Sequence, residues 1–318
     1  MSTPDGLLLI DKPQGVSSHD VVARVRRIIG IRAIGHAGTL DPFATGLLIL
    51  CVGNATRLSE YLLGEIKRYS GRMKLGERTN TDDLDGEVVE RRDVIITPDA
   101  IARARVAFTG HIQQIPPQFS AIQIGGKRAY KLARSGETVD LQARPVHIIA
   151  LALTMATDAT CIDLQMTCTA GTYVRAVARD VGEMLGCGAH LVSLRREQSG
   201  PFTLAAAVTL ETLQHAAAEG RWTEHLLPKD RAVDHFPACH LNAAASQRLL
   251  LGQTVSGGLA TANPDASITS QVDSSADAPC LCRVYNDSAA GDFIAIGEFN
   301  LATGMVKPVK VFHKDNTL

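Results

Sequence analysis

The chain has 318 residues, 45% of them hydrophobic, with 32 Lys and Arg against 33 Asp and Glu and a formal net charge of −1. That length predicts one large domain with a smaller companion, and the balanced charge means that any nucleic-acid surface must arise from local clustering. No uncharged apolar run is long enough to span a bilayer, and the opening residues, Met1 to Gly6, offer neither a basic segment nor a cleavable apolar one. The seven cysteines include no C-x-x-C pair, which argues against zinc and for free, buried thiols in a reducing cytoplasm.

In chain order, Gly6 to Asp11 reads as a short apolar strand, followed by a turn over Lys12-Pro13-Gln14-Gly15. Ser17 and Ser18 can cap a helix whose Val21, Val22, Val25, Ile28 and Ile29 follow helical spacing. Arg24, Arg26 and Arg27 then read as its solvated face. Gly35 to Leu50 is the most informative stretch. Pro42 pushes Asp41 out of the helical region, and Leu47 to Val52, bounded by Gly46 and Gly53, reads as a buried strand. Asp41 therefore sits on a stiffened loop at the edge of the core, where a carboxylate can be aimed at a ligand. An Asp before Pro in a Gly-rich segment is, by itself, also an ordinary turn former.

Asn54 to Leu63 reads as a helix, and Lys67 to Leu75 alternates Tyr69, Gly71, Met73 and Leu75 against Arg68, Ser70, Arg72 and Lys74, a half-buried strand with a basic outer face. Asn80 to Gly86 is rich in acids, but its spacing fails as a calcium loop because Arg92 stands where the final Glu belongs. An acidic surface loop is the simpler reading. Thr97-Pro98-Asp99 opens a helix to about Phe108. After Pro116-Pro117, the cations Lys127, Arg128, Lys131 and Arg134 surround Tyr130, a pattern suited to a phosphate backbone and one stacked ring, though a solvated helix face has the same composition. Cys161 to Thr169 is an amphipathic strand, and Thr172 can cap the helix that follows, on which Arg179 and Glu183 are spaced for a surface pair. Beyond a charged break at Pro228 to Arg231, Phe236 onward reads as a small unit. It has a helix near Ala243 to Leu251, β-type runs at Leu281–Tyr285, Phe293–Phe299 and Val306–Phe312, and an Ala/Ser/Asp/Thr-rich surface loop over 257–279.

Gly35-His36-Ala37-Gly38-Thr39-Leu40-Asp41-Pro42 with Ala44-Thr45-Gly46 closely resembles the catalytic motif of the bacterial tRNA pseudouridine(55) synthases, and Lys12-Pro13-Gln14-Gly15, Lys67-Arg68-Tyr69 and Gly171-Thr172-Tyr173-Val174-Arg175 resemble further motifs of that family in the same order. The resemblance runs to about Phe202. It implies an α+β fold, a mixed and largely antiparallel central sheet flanked by helices. It also implies a catalytic domain over 1–232, with an insertion at about 112–144 that grips the T stem-loop, and a PUA-like RNA-binding β-barrel over 235–318.

By the same resemblance the activity is isomerisation of uridine 55 to pseudouridine in the T loop of tRNA by a base-flipping mechanism, in a cytoplasmic monomer that uses no cofactor and no metal. Asp41 would be the essential carboxylate, kept ionised by Arg175, with Tyr69 stacking on the uracil and Tyr173 and Leu194 closing the pocket. His36 would fill the space the base vacates or hold the opened loop, and Lys12 would support the site. Lys127, Arg128, Lys131 and Arg134 are the implied backbone contacts. Phe119 and Gln123 depart from the family pattern, where Tyr and Lys are common. An RNA-binding scaffold with an idle pocket and a glycosidase with two carboxylates are the competing classes, and the second would need another acid where the motif offers an arginine.

Overall fold

The computed structural model describes residues 4–120, 123–124, 127–128, 140–259, 279–287 and 291–312. Its centre is a ten-stranded sheet. The strands are β1 (Gly6–Lys12), β2 (Ile34–Ala37), β3 (Thr45–Val52), β4 (Lys67–Leu75), β7 (Gly110–Gln114), β10 (Arg144–Met155), β11 (Cys161–Cys168), β12 (Ala189–Ser199), β13 (Phe202–Thr203) and β14 (Leu226–Leu227). They run in the order β14-β1-β3-β12-β4-β11-β10-β7, with β2 beside β3 and β13 beside β12. Every pairing is antiparallel except β3 with β12, where Arg195 and Arg196 lie opposite Thr45 and Gly46. Two shorter ribbons pair β5 (Glu77–Thr79) with β6 (Val88–Arg91), and β8 (Gln123–Ile124) with β9 (Lys127–Arg128).

The apolar runs of β1 and β3 are continuous because both faces of those strands are covered. Leu8, Ile10, Leu48 and Leu50 join the core under the helices. Leu7, Leu9, Leu47 and Ile49 pack on the other side with Ala232, Val233, Phe293, Ile296 and Phe312. The helix Ser18–Ile29 begins at Ser17, whose hydroxyl accepts from Asp20 N while Asp20 returns a bond to the Ser17 amide, and it ends at Gly30 in the left-handed region. Arg24, Arg26 and Arg27 are exposed on it, as a solvated face requires, and Arg26 also donates to Ile34 O at 2.6 Å.

A second sheet of six strands is formed by β15 (Ala238–Leu241), β16 (Val255–Ser256), β17 (Gly258–Leu259), β18 (Cys280–Asn286), β19 (Phe293–Asn300) and β20 (Met305–Val311). Its edge strands are β16 and β17, and only Gly257 separates them in the chain. The sheet must therefore curl back on itself, which makes it a small, nearly closed barrel. The fold class is thus the α+β arrangement with a C-terminal barrel. Among the described residues, no helix is long and apolar enough to cross a membrane.

The structure differs from the sequence reading in several places. Gly53–Leu58 is 3-10 helix, and only Ser59–Leu63 is α-helical, so the expected helix over 54–63 is half as long. Thr172 is not the cap of the helix Val174–Met184. Tyr173 holds that position without a side-chain bond, and the Thr172 hydroxyl donates to Thr169 O at 3.0 Å. Arg179 and Glu183 do not pair: Arg179 meets Asp82 and Asp180, while Glu183 meets Arg78 and Arg92. The segment expected as an insertion leaves and re-enters the sheet at paired positions, Gln114 opposite Arg144 and Ile112 opposite Val146. Tyr130, Lys131 and Arg134 lie outside the described residues, as do 260–278 of the loop expected over 257–279.

Candidate active site

Asp41 stands on the loop between β2 and β3, and that loop is stapled from three directions. The Ser18 hydroxyl donates to Leu40 O and accepts from Leu40 N, at 3.0 and 2.9 Å. Lys12, with no exposed surface, donates to the carbonyls of Pro13, Val16 and Pro42 at 3.0, 2.7 and 3.2 Å. Burial pulls its ammonium down to about 8, opposed by the nearby Asp41 charge. Arg196, 1% exposed, donates from Nε to Leu47 O at 2.8 Å and from Nη2 to Gly38 O at 3.0 Å. The loop is rigid because its carbonyls are bound to buried cations anchored in β1 and β12.

Arg175, in the first turn of the helix Val174–Met184, approaches Asp41 through two nitrogens, Nε to Oδ2 at 2.9 Å and Nη2 to Oδ1 at 3.2 Å. This is the side-on, bidentate geometry of a strong arginine–carboxylate pair. Its other donors reach Asp83 Oδ2 at 3.2 Å, Thr81 O at 2.9 Å and Phe119 O at 3.0 Å. One cation therefore faces two acids. Burial pushes the Asp41 carboxyl above its ordinary value, and the Arg175 guanidinium opposes that shift. The sequence expectation weighed only the guanidinium; desolvation is the larger effect.

Asp83 is the main residue that sequence reasoning missed. The loop over Asn80–Gly86 is not an acidic surface loop: Asp82 and Asp83 are 9% and 5% exposed. Asp82 takes a positive φ of 61° and pairs with Arg179 at 3.0 Å, while Thr81 Oγ1 and the Asp85 amide donate to Asp83 Oδ1 at 2.6 and 3.1 Å. The signal was present in the two arginines, Arg175 and Arg179, spaced to share one helix face, because buried arginines need acids from elsewhere. Gln114, fully buried, was also missed. It accepts from Tyr173 N at 2.8 Å and donates to Tyr173 O at 3.1 Å, fixing the entry to the helix.

Beside this network lies a cavity of about 250 Å³ whose lining includes Asp41, Tyr69, Ser120, Tyr173, Arg175 and Leu194. Tyr69 on β4 is opposite Arg196 on β12, and Leu194 is opposite Gly71. A side chain at Gly71 would meet Ser193 O at 2.6 Å, so the glycine lets the bulged strand β12 close down and seat Leu194 at the wall. Burial pushes the Tyr69 phenol up, with Arg196 pulling the other way. Arg144 lies 5.2 Å over the Tyr173 ring.

Asp41, Tyr69, Tyr173, Arg175 and Leu194 therefore come together as lining of one cavity, with Lys12 behind the loop. His36 does not line it. It sits on β2, edge-on to His19 with ring centroids 5.1 Å apart, and its buried Nδ1 has no hydrogen-bond partner. Lys127 and Arg128 form the two-residue strand β9. Among the described residues, no three His, Cys, Asp or Glu side chains are grouped to hold a metal ion.

The mixed sheet with flanking helices and a terminal barrel places the chain in the pseudouridine synthase fold class. Solved structures with this fold include "Crystal Structure of a Cbf5-Nop10-Gar1 Complex" (TM-score 0.69, 24% identity, 97% of this chain and 84% of that one). Another is "Crystal structure of the archaeal box H/ACA sRNP Nop10-Cbf5 complex" (TM-score 0.68, 25% identity, 98% and 87%). The model of the TruB family pseudouridylate synthase N-terminal domain matches residues 26–174, and that of the tRNA pseudouridylate synthase B C-terminal domain matches 175–234. Similar curated proteins are "tRNA pseudouridine synthase B" of Burkholderia pseudomallei (strain 668), 45% identical over 83% of this chain and 86% of the relative. The protein of the same name from Pseudomonas aeruginosa (strain UCBPP-PA14) is 44% identical over 79% and 83%. The chain belongs to the TruB family of pseudouridylate synthases.

Proposed function

We propose that this protein converts uridine 55 in the T loop of tRNA to pseudouridine, with Asp41 as the essential carboxylate. The observation that carries this reading is the Asp41–Arg175 pair, a bidentate ion pair at the wall of a cavity shared with Tyr69 and Leu194. In the reaction the N1–C1′ bond of uridine breaks, the base turns, C5 bonds to C1′, and the C5 proton is lost while N1 gains one. Asp41 either adds covalently to the base or C1′, or assists formation of a glycal, in each case acting on a substrate that becomes electron-poor at C1′. The guanidinium fixes the direction of its lone pairs, and Tyr69 and Leu194 hold the detached uracil while Tyr173 closes the side of the pocket.

The target base has to leave its stack to reach this cavity, at a cost of about a few kcal/mol, recovered from contacts along the T arm. Lys127, Arg128, Lys131 and Arg134 supply phosphate contacts in this reading, and His36, outside the pocket, occupies the space vacated by the base. The barrel adds an RNA-binding surface, and the enzyme works as a cytoplasmic monomer on domains over 1–232 and 235–318. The experiment is tritium release from [5-³H]uridine-labelled tRNA, with Asp41→Asn as the comparison. The variant is expected to bind a T-arm RNA as the parent does and to release no tritium. Release at the parental rate would remove Asp41 from its assigned role, and a well-folded parent that releases none would favour an RNA-binding scaffold.

A further inference from the structure

One polar side chain in the wall of the cavity lacks a partner. Ser120 lines the pocket and is 3% exposed, and its Oγ, shut off from solvent, has neither donor nor acceptor within hydrogen-bond distance. Native proteins rarely leave a buried hydroxyl in that condition, and a bound ligand is one of the reasons they do. The atom is also well positioned. Pro116 and Pro117 stiffen its approach, Arg179 donates to Ile115 O at 2.8 Å, and Arg175 Nη2 donates to Phe119 O at 3.0 Å while reaching Asp41 Oδ1 at 3.2 Å. Ser120 therefore belongs to the carboxylate end of the pocket, while Leu194 and Tyr69 belong to the sheet.

Resting on the proposed reaction, we infer that Ser120 is a substrate-contacting residue whose hydroxyl bonds the ribose 2′-hydroxyl of the target nucleotide. Whether the carboxylate adds to the base, bonds C1′ or assists glycal formation, it works beside the glycosidic bond, so the group next to its arginine is near the sugar. Within an RNA chain the 2′-hydroxyl is the one free hydroxyl that a ribose offers. A serine can both donate to it and accept from it, and that contact stays in place while the base is detached and turned. It also gives the enzyme a means of telling RNA from DNA at the modified position.

The test uses two T-arm RNAs that differ only in a uridine or a 2′-deoxyuridine at the target, with the parent enzyme and Ser120→Ala. The expected result is a loss of about tenfold in kcat/KM when either the 2′-hydroxyl or the Ser120 hydroxyl is removed, and little further loss when both are gone. Ser120→Ala should melt no lower than the parent, since it deletes an unpaired buried hydroxyl. Equal losses on both RNAs would overturn the inference in favour of a base contact or a packing role, and so would unchanged rates with Ser120→Ala. Failure of the parent on both RNAs would instead count against the proposed reaction, taking this inference with it.

Discussion

Replacing Arg175 by Met tests the arrangement of charge at the site. The side chain is 5% exposed and spends its donors on Asp41, Asp83, Thr81 O and Phe119 O. Methionine fills a similar volume but leaves two carboxylates without the cation that bridges them. Breaking a buried ion pair from one side costs about 3–5 kcal/mol, which at about 2–4 °C per kcal/mol lowers the melting temperature by roughly 6–20 °C. The deficit should depend on pH in a definite sense. Asp41 in the folded protein already has its pKa raised by burial, so the folded state holds a proton that the unfolded state gives up, and that contribution to stability is lost as pH rises above the unfolded value. Loss of Arg175 removes the opposing cation and extends the window upward. The variant should therefore lag the parent less at pH 5 than at pH 7.5.

Adding Asp41→Asn and Asp83→Asn to Arg175→Met removes the orphaned charges, and the triple variant should be more stable than Arg175→Met alone, as happens when a whole buried ionic cluster is neutralised. Thermal melts of the three proteins at two pH values decide the matter. A cost under about 1 kcal/mol for Arg175→Met, or a triple variant as unstable as the sum of its parts, would refute the reasoning.

Gly46 has a φ of 98°, and a β-carbon there would stand 2.4 Å from Arg196 O and 2.8 Å from Arg196 N. Gly46→Ala should cost about 2 kcal/mol or more by urea titration and slow turnover by displacing the parallel β3–β12 junction behind Asp41. Lys12→Met should destabilise the protein and lower kcat by freeing the Pro42 carbonyl. Because the folded pKa of Lys12 is about 8 against 10.5, the unfolded state binds more protons between those values. The parent should gain on Lys12→Met by up to about 1.4 kcal/mol per pH unit across pH 8–10.5, measured as the difference between the two melting curves.

Periodicity carried the parts of this fold that bury apolar side chains in a repeating pattern. β1, β3, β4 and β11 were legible because two-residue alternation, or its absence in strands covered on both sides, follows directly from burial. The site was legible as a set of motifs but not as an electrostatic structure. Asp41 and Arg175 are 134 residues apart, and nothing in local composition says that Asp83 completes the pair, because an acid in a Thr/Asn/Asp/Gly turn has the same sequence whether it faces water or a guanidinium. Arg196 shows the same limit. On a strand it shares a face with Leu194, so alternation alone would point it inward, yet an arginine counted by composition reads as surface. What reverses that reading is a tertiary fact, the carbonyls of Gly38 and Leu47 waiting at 3.0 and 2.8 Å. Buried charge is written in pairs of distant residues. A sequence read in order meets each half by itself, and the loop that carries Asp41 is held in place by buried cations of that kind.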